Sequence, residues 1–417
     1  MCIRDRDQSQ PCRVHRPGGS DRRLAARKFF IYTLSGSVLT FLGLIYLVLA
    51  NSEYGSGELT FSIPKIIEHL QLPSLDESSV QLWVFLALFM GFAIKVPLFP
   101  FHTWLPLAHV QAPTAGSILL AGVLLKIGTY GFIRFSIPLL PDATRYFMPA
   151  IMVLSIIAIV YGALVALAQN DIKRLVAYSS VSHMGFCMLG IFTLNRVGIS
   201  GGILQMISHG LATGALFALV GMVYDRYHTR QIEDFSGLAH RMPVMSFFFV
   251  LMALSSLGLP GLAGFVGEIM ILMGAFQNHP FYAACAAIGI VLGAWYTLWL
   301  VERILFGPLQ EPIQSSSGTD SSPAITDMTP REIAAIGPLA ILIIWIGIAP
   351  QMFLQPIHSE IDRLVDYPDQ MVTATTAISS SATQTKQSDL NTRSGDSNSA
   401  LITQPHSVRR SSWEKKP

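Results

Sequence analysis

Residues Trp83–Phe132 read WVFLALFMGFAIKVPLFPFHTWLPLAHVQAPTAGSILLAGVLLKIGTYGF. Two apolar segments, each long enough to cross a bilayer, flank a short hinge, and each carries one lysine, Lys95 and Lys126. A charged side chain at the bilayer centre costs about 3 kcal/mol or more, so a lysine kept there marks a functional path. Lys95 is followed almost at once by Pro97 and Pro100. Proline inside a helix removes hydrogen bonds and breaks the rod. In hydrocarbon such a break survives only where it is packed in protein or lines a water-filled cavity. A lysine beside a broken helix therefore implies an ion path.

The rest of the chain has the composition this stretch demands. Of its 417 residues, 51% are hydrophobic and 13% charged, against about 25% charged in a soluble domain. The fold class read from this is an all-α polytopic membrane protein. The net charge of +2 decides little, because the charges sit in loops and tails. Apolar runs of about 20 residues give about nine transmembrane helices, near 29–50, 81–104, 114–136, 146–168, 174–195, 200–224, 244–275, 282–305 and 333–354. Residues 1–28 are polar and Arg-rich with no apolar core, so they are not a secretory signal and read as disordered or foreign to the native start. Residues 306–332 form a Ser/Thr/Pro-rich loop, 333–355 the final transmembrane helix, and 356–417 a Ser/Thr/Gln-rich tail expected to be disordered. Basic residues cluster before the first crossing and at 173–174, 226–241, 303 and 331, which puts those ends in the cytoplasm.

A second crossing is interrupted like the first. In SSLGLPGLAGFVGEIMILMGAF the run Gly258–Leu259–Pro260–Gly261 breaks the helix, and Glu268 follows about two turns later. The broken crossings are second and seventh in order, so they run in opposite directions, the mark of an inverted-topology repeat. Paired interrupted helices of this kind point to a transport site.

The polar residues within the crossings outline a path. A lysine taken out of water gives up its proton more readily, so Lys95 reads as a proton carrier rather than a snorkelling surface lysine, and Lys126, mid-helix, as a relay partner. His183 and His209 lie on consecutive crossings among Ser179, Ser180, Ser182, Ser208 and Thr213. Imidazole passes protons through either ring nitrogen, and no ligand spacing accompanies the pair to suggest a metal. Lys173, at the cytoplasmic mouth of the fifth crossing, is either a topogenic charge or the central or entry member of the relay. Glu268 reads as the end station. His102, His109 and Trp104 belong to the hinge and read as structure, with Trp104 an interface anchor. The cysteines Cys2, Cys12, Cys187 and Cys285 form no CxxC pair and no zinc or iron–sulfur spacing, and no P-loop, GxGxxG, haem motif or nucleophile elbow occurs.

The stretches KVPLFPFHTWLPLAHVQAPTAGSILLAGVLLKIGTYG, NDIKRLVAYSSVSHMGF and GLPGLAGFVGE closely resemble the antiporter-like membrane subunits of respiratory complex I, of the subunit M (subunit 4) type, from about Lys28 to Pro350. The resemblance implies two inverted five-helix repeats out of fourteen helices, with 29–136 the remainder of the first and 137–305 the second. It implies that Lys95 is the pumping lysine, Lys126 a connecting lysine, His183 and His209 members of a hydrophilic axis, and Glu268 the terminal acid. It also implies proton translocation coupled to quinone reduction elsewhere in an NADH:quinone oxidoreductase. NADH, flavin, iron–sulfur clusters and quinone would then belong to other subunits, with no cofactor and no metal in this chain. The expected partners are K-, L- and N-type membrane subunits and the lipid bilayer, not nucleic acid, and the expected location is the bacterial inner membrane. Family members carry further helices first, one with a glutamate that pairs with the lysine at Lys95. No glutamate precedes Glu53 here, so an N-terminally truncated chain is expected. Two alternatives share part of this reading: a subunit of a multisubunit Na+(K+)/H+ antiporter or membrane-bound hydrogenase, and a non-pumping scaffold subunit.

Overall fold

The computed structural model describes residues 22–55, 57–70, 72, 79–312 and 325–365. The expected polar N-terminus therefore lies outside the described residues as far as residue 21, the loop at 306–332 over 313–324, and the tail from 366 onward. Within the described residues every secondary-structure element is a helix, apart from two isolated backbone bridges, Asp171–Gln231 and Ser236–Gln310.

Helix α1 (Arg22–Tyr54) begins seven residues before the apolar run at Phe29 and packs along α3 (Val80–Lys95), with the short α2 (Ile63–His69) between them in sequence. After the first break come a 3-10 turn (Phe101–Thr103) and α4 (Trp104–Gln111). A continuous helix then runs over Thr114–Leu139. It consists of α5 (Thr114–Leu119), α6 (Leu125–Gly131) and α7 (Ile137–Leu139), joined by π turns at Leu120–Leu124 and Phe132–Ser136. Next follow α8 (Pro141–Leu167), α9 (Ile172–Phe192), α10 (Arg196–Tyr227), the short α11 (Leu238–Arg241), α12 (Pro243–Ser256), α13 (Ala263–Asn278), α14 (Pro280–Leu305), α15 (Pro330–Ile348) and α16 (Gln351–Leu354). Residues 358–365, expected in the tail, are helical. Among the described residues, seven helices are long and apolar enough to cross a membrane, and the shorter apolar α3 and α12 begin the two interrupted crossings.

Local sequence sets the helix starts. Pro141, Pro243, Pro280 and Pro330 each take the first helical position, where proline's missing N–H costs nothing. Asp171 and Asn195 accept from backbone N–H groups of Arg174 and Gly198 to cap α9 and α10, and Thr329 with Glu332 forms a capping box on α15. Burial then ranks the helices. The apolar window of α9 is 94% buried and that of α10 is 67%, against 33% for α1 and 22% for α15. Helices α9 and α10 therefore form the middle of the bundle, and polar side chains on them are shielded from lipid.

The two breaks are built alike. In the first, Val96 N–H bonds to Phe92 O, Leu98 N–H to Ala93 O, and Phe101 N–H to Leu98 O. In the second, Leu257 bonds to Ala253, Leu259 to Leu254, and Leu262 to Leu259. Each pair of residues is the same distance apart in sequence (259 − 98 = 161). Proline and glycine chemistry thus yields one turn twice, once in each repeat. On that register Lys95 corresponds to Ser256, so Lys95 precedes its break whereas Glu268 follows the other.

Candidate functional site

At the first break, Lys95 is the last residue of α3, and Pro97 and Pro100 lie in the turn beyond it. Its side chain is half-buried, with no hydrogen bond or ion pair among the described residues. The break frees the Ile94 carbonyl, because Leu98 N–H goes one residue further back to Ala93. The Trp104 indole N–H donates to Ile94 O at 3.0 Å instead. Trp104 is 2% exposed. It is not the interface anchor expected from sequence but the donor that satisfies the broken helix.

Lys126 sits two residues after the first π turn, in which Leu125 N–H bonds back to Leu120 O. Such turns widen a helix and recur at functional sites. The Lys126 ammonium donates to the Ala121 carbonyl inside that turn and lies 2.7 Å from His209 Nδ1 on α10. The contact makes Nδ1 the acceptor of a neutral ring whose proton is on Nε2. That Nε2 is buried and meets no hydrogen-bond partner among the described residues.

His183 on α9 forms the second half of the cluster. Its Nδ1 lies 3.1 Å from Glu268 Oε1, and its Nε2 lies 3.2 Å from Ser256 Oγ and 3.3 Å from the Tyr296 hydroxyl. A proton on Nδ1 fits this set: the ring donates to the carboxylate and accepts from a hydroxyl. Gln205 on α10 donates from Nε2 to the same Glu268 Oε1 at 3.0 Å. Both His183 and Glu268 are 4% exposed.

Between the two histidines, whose ring centres are 5.6 Å apart, lies a small cavity lined by His183, Gln205, Ser208, His209, Ser255 and Ser256. It leaves about 10 Å³ for the centre of a water-sized sphere, close to the least that holds one water. Gln205 Oε1, His209 Nε2 and Ser255 Oγ, all on lining residues, are buried without a partner among the described residues.

The structure thus brings Lys126, His209, His183 and Glu268 into one cluster and leaves Lys95 and Lys173 outside it. Lys173 Nζ donates to Ala112 O at 2.7 Å, and Arg230 Nη1 to Val110 O at 2.9 Å. Asp171 stands 3.5 Å from Arg230 Nε. Two cations therefore hold the C-terminal carbonyls of α4, where the helix dipole favours positive charge. In the second break Pro260 and Gly261 lie on the turn itself, while Gly258, at φ +83°, faces Glu268. His109 stacks on Phe217 at 4.4 Å between ring centres, with both ring nitrogens buried and without a hydrogen-bond partner among the described residues.

Sequence reasoning does not single out Gln205, Ser256 or Tyr296. Gln205 was within reach: it precedes His209 by four residues, which puts both on one face of a helix. Among the described residues no group of three or more His, Cys, Asp or Glu is placed to hold a metal.

Residues 18–293 match the family described as NADH:quinone oxidoreductase/Mrp antiporter, TM. NADH-quinone oxidoreductase subunit M of Rhodobacter capsulatus is 44% identical over 354 residues, 84% of this chain and 67% of the relative. The protein of that name from Rickettsia prowazekii is 44% identical over 348 residues, again 84% and 67%. This chain thus spans about two thirds of the length of these relatives. A chain of respiratory complex I from Thermus thermophilus with bound NADH superposes with a TM-score of 0.74 at 31% identity, covering 84% of this chain and 70% of that one. The Mrp complex from Dietzia has a TM-score of 0.70 at 21% identity, over 82% and 68%, a likeness of fold alone. With nearly every described residue helical and two crossings broken by one repeated turn, the chain belongs to the NADH:quinone oxidoreductase/Mrp antiporter membrane-subunit family, in the subunit M or chain 4 type.

Proposed function

We propose that this chain carries protons across the membrane as part of a complex I, from Lys126 through His209 and His183 to Glu268. The reading rests on one observation: two directly bonded pairs, Lys126–His209 and His183–Glu268, face each other across a polar cavity with room for about one water.

The residues suit each step. Lys126 hands a proton to His209 Nδ1, and the ring releases the one on Nε2 into the cavity. A water there has Gln205 Oε1, Ser255 Oγ and His209 Nε2 as partners, which meets its need for two to four. His183 accepts on Nε2, through or beside Ser256, and gives its Nδ1 proton to Glu268. The two direct transfers, Lys126 to His209 and His183 to Glu268, then take place over hydrogen-bond distance, as general acid–base steps require.

Lys95 supplies protons to this cluster from the first break. Lys173 acts at the mouth as a fixed charge that holds α4, because the carbonyl it meets cannot take a proton. Quinone reduction by other subunits drives the cycle, so NADH, flavin, iron–sulfur and quinone chemistry lies outside this chain. The partners are other complex I subunits, with K, L and N types flanking it in the bacterial inner membrane.

The test uses inverted vesicles carrying the complex with this chain, following NADH-driven acidification and quinone reduction together. Lys95→Ala, Lys126→Ala and Glu268→Gln should each reduce acidification at least tenfold while the complex stays assembled. Full acidification in all three would sink the proton reading and leave a scaffold role.

A further inference from the structure

Glu268 meets the protein unequally through its two oxygens. Oε1 takes both donors, His183 Nδ1 at 3.1 Å and Gln205 Nε2 at 3.0 Å. Oε2 has no hydrogen bond among the described residues and lies against the second break, where a Cβ built on Gly258 would come within 2.9 Å of it. The absent side chain at Gly258, whose φ of +83° suits glycine in any case, leaves Oε2 free on the side of the break.

Resting on the proton reading above, we propose that Gln205 is a positioning residue that makes Glu268 a two-sided station: it takes its proton on Oε1 and presents it to the break on the side now occupied by Oε2. The reason is the donor count. The carboxamide N–H can only donate, so it seeks an oxygen that carries no proton. Once His183 has given its Nδ1 proton to Oε1, the Gln205 N–H faces a hydroxyl oxygen, a much poorer acceptor than the bare carboxylate oxygen it held before. A half-turn of the carboxyl group returns a bare oxygen to Gln205 and carries the hydroxyl to the break. There water takes the proton as hydronium and the carboxylate is restored, so each proton received from His183 is passed on and no electron moves. Without Gln205, the bare Nδ1 of His183 would accept the proton back, and the transfer would run in either direction.

Infrared difference spectroscopy on the assembled complex reads this arrangement directly. Glu268→Gln identifies the carbonyl band of protonated Glu268 as the band that disappears. Gln205→Met keeps the side-chain bulk and removes the donor. The band should then move to higher frequency, with proton translocation several-fold lower and the complex intact. If Gln205→Met does not assemble, Gln205→Asn, too short to reach Oε1, should give the same upward move. A band present in the parent and unmoved in both variants overturns the role of Gln205. The absence of any band lost in Glu268→Gln overturns instead the proton reading on which that role stands.

Discussion

The Lys126 ammonium lies 2.7 Å from Nδ1 of His209, a contact that joins two helices across 83 positions of sequence. It fixes the ring's tautomer and aims Nε2 at the cavity, so the charge on α6 and the space beside His183 become one unit.

Lys126→Arg separates proton transfer from fixed charge. Arginine keeps the charge and the donors but does not release a proton in a protein. Proton translocation should fall more than tenfold while the assembled complex persists on a native gel. Near-parental translocation would show that Lys126 acts as a static cation.

The contact also depends on a close approach of backbones. A Cβ on Gly210 would stand 3.0 Å from Gly122 O and 3.7 Å from Lys126 Nζ, whereas one on Gly122 would meet only Gly210 O at 3.9 Å. Alanine normally gains about 1 kcal/mol over glycine inside a helix. Gly122→Ala should therefore be neutral or stabilising in thermal melts and translocate normally. Gly210→Ala should push the π turn away and lower translocation several-fold. Equal behaviour of the two variants would remove the close approach from the account.

Much of this was legible in the sequence, and for one reason: hydrocarbon makes exceptions conspicuous. Lys95, Lys126 and Glu268 stand out because a charge there is costly, and Pro97, Pro100 and Pro260 because proline cannot continue a helix, with Gly261 weakening it further. What did not show is pairing. Which face of α9 meets α10 is set by packing over the whole bundle, so the sequence named His183 and His209 without assigning His209 to Lys126 and His183 to Glu268. Gln205 escaped because an uncharged amide raises no alarm in an apolar run. The π turns have no sequence signature, and Trp104 carries the same apolar pattern whether it anchors an interface or serves a buried carbonyl.

Lys173 offers a test of position against titration. Its Nζ donates to Ala112 O, and a hydrogen bond from a charged group contributes about 1.5–3 kcal/mol. Lys173→Met should lower the thermal stability of the complex by roughly that amount. Lys173→Gln, which keeps a neutral donor, should recover part of the loss and keep most of the translocation. If Lys173→Gln is stable but translocates no protons, Lys173 belongs in the relay.

Across the bundle, Arg226 at the end of α10 makes a two-pronged pair with Glu332, at 3.0 Å and 2.8 Å, and also donates to the Thr326 and Asp327 carbonyls. Glu332 is at once the capping residue of α15. Glu332→Ala removes a bidentate partner and half a capping box, each contributing about 1 kcal/mol or more. The melting temperature of the complex should fall, with translocation per electron unchanged in what remains folded.

The most direct test of a single path from Lys126 to Glu268 is a double-mutant comparison in inverted vesicles, reading protons moved per electron passed to quinone. Residues that act as one unit lose activity once, not twice. Lys126→Ala and Glu268→Gln should each cause a large loss, and the double variant should be no worse than the poorer single one. Losses that multiply would mean that the two residues serve separate paths and that the cavity between His209 and His183 joins nothing.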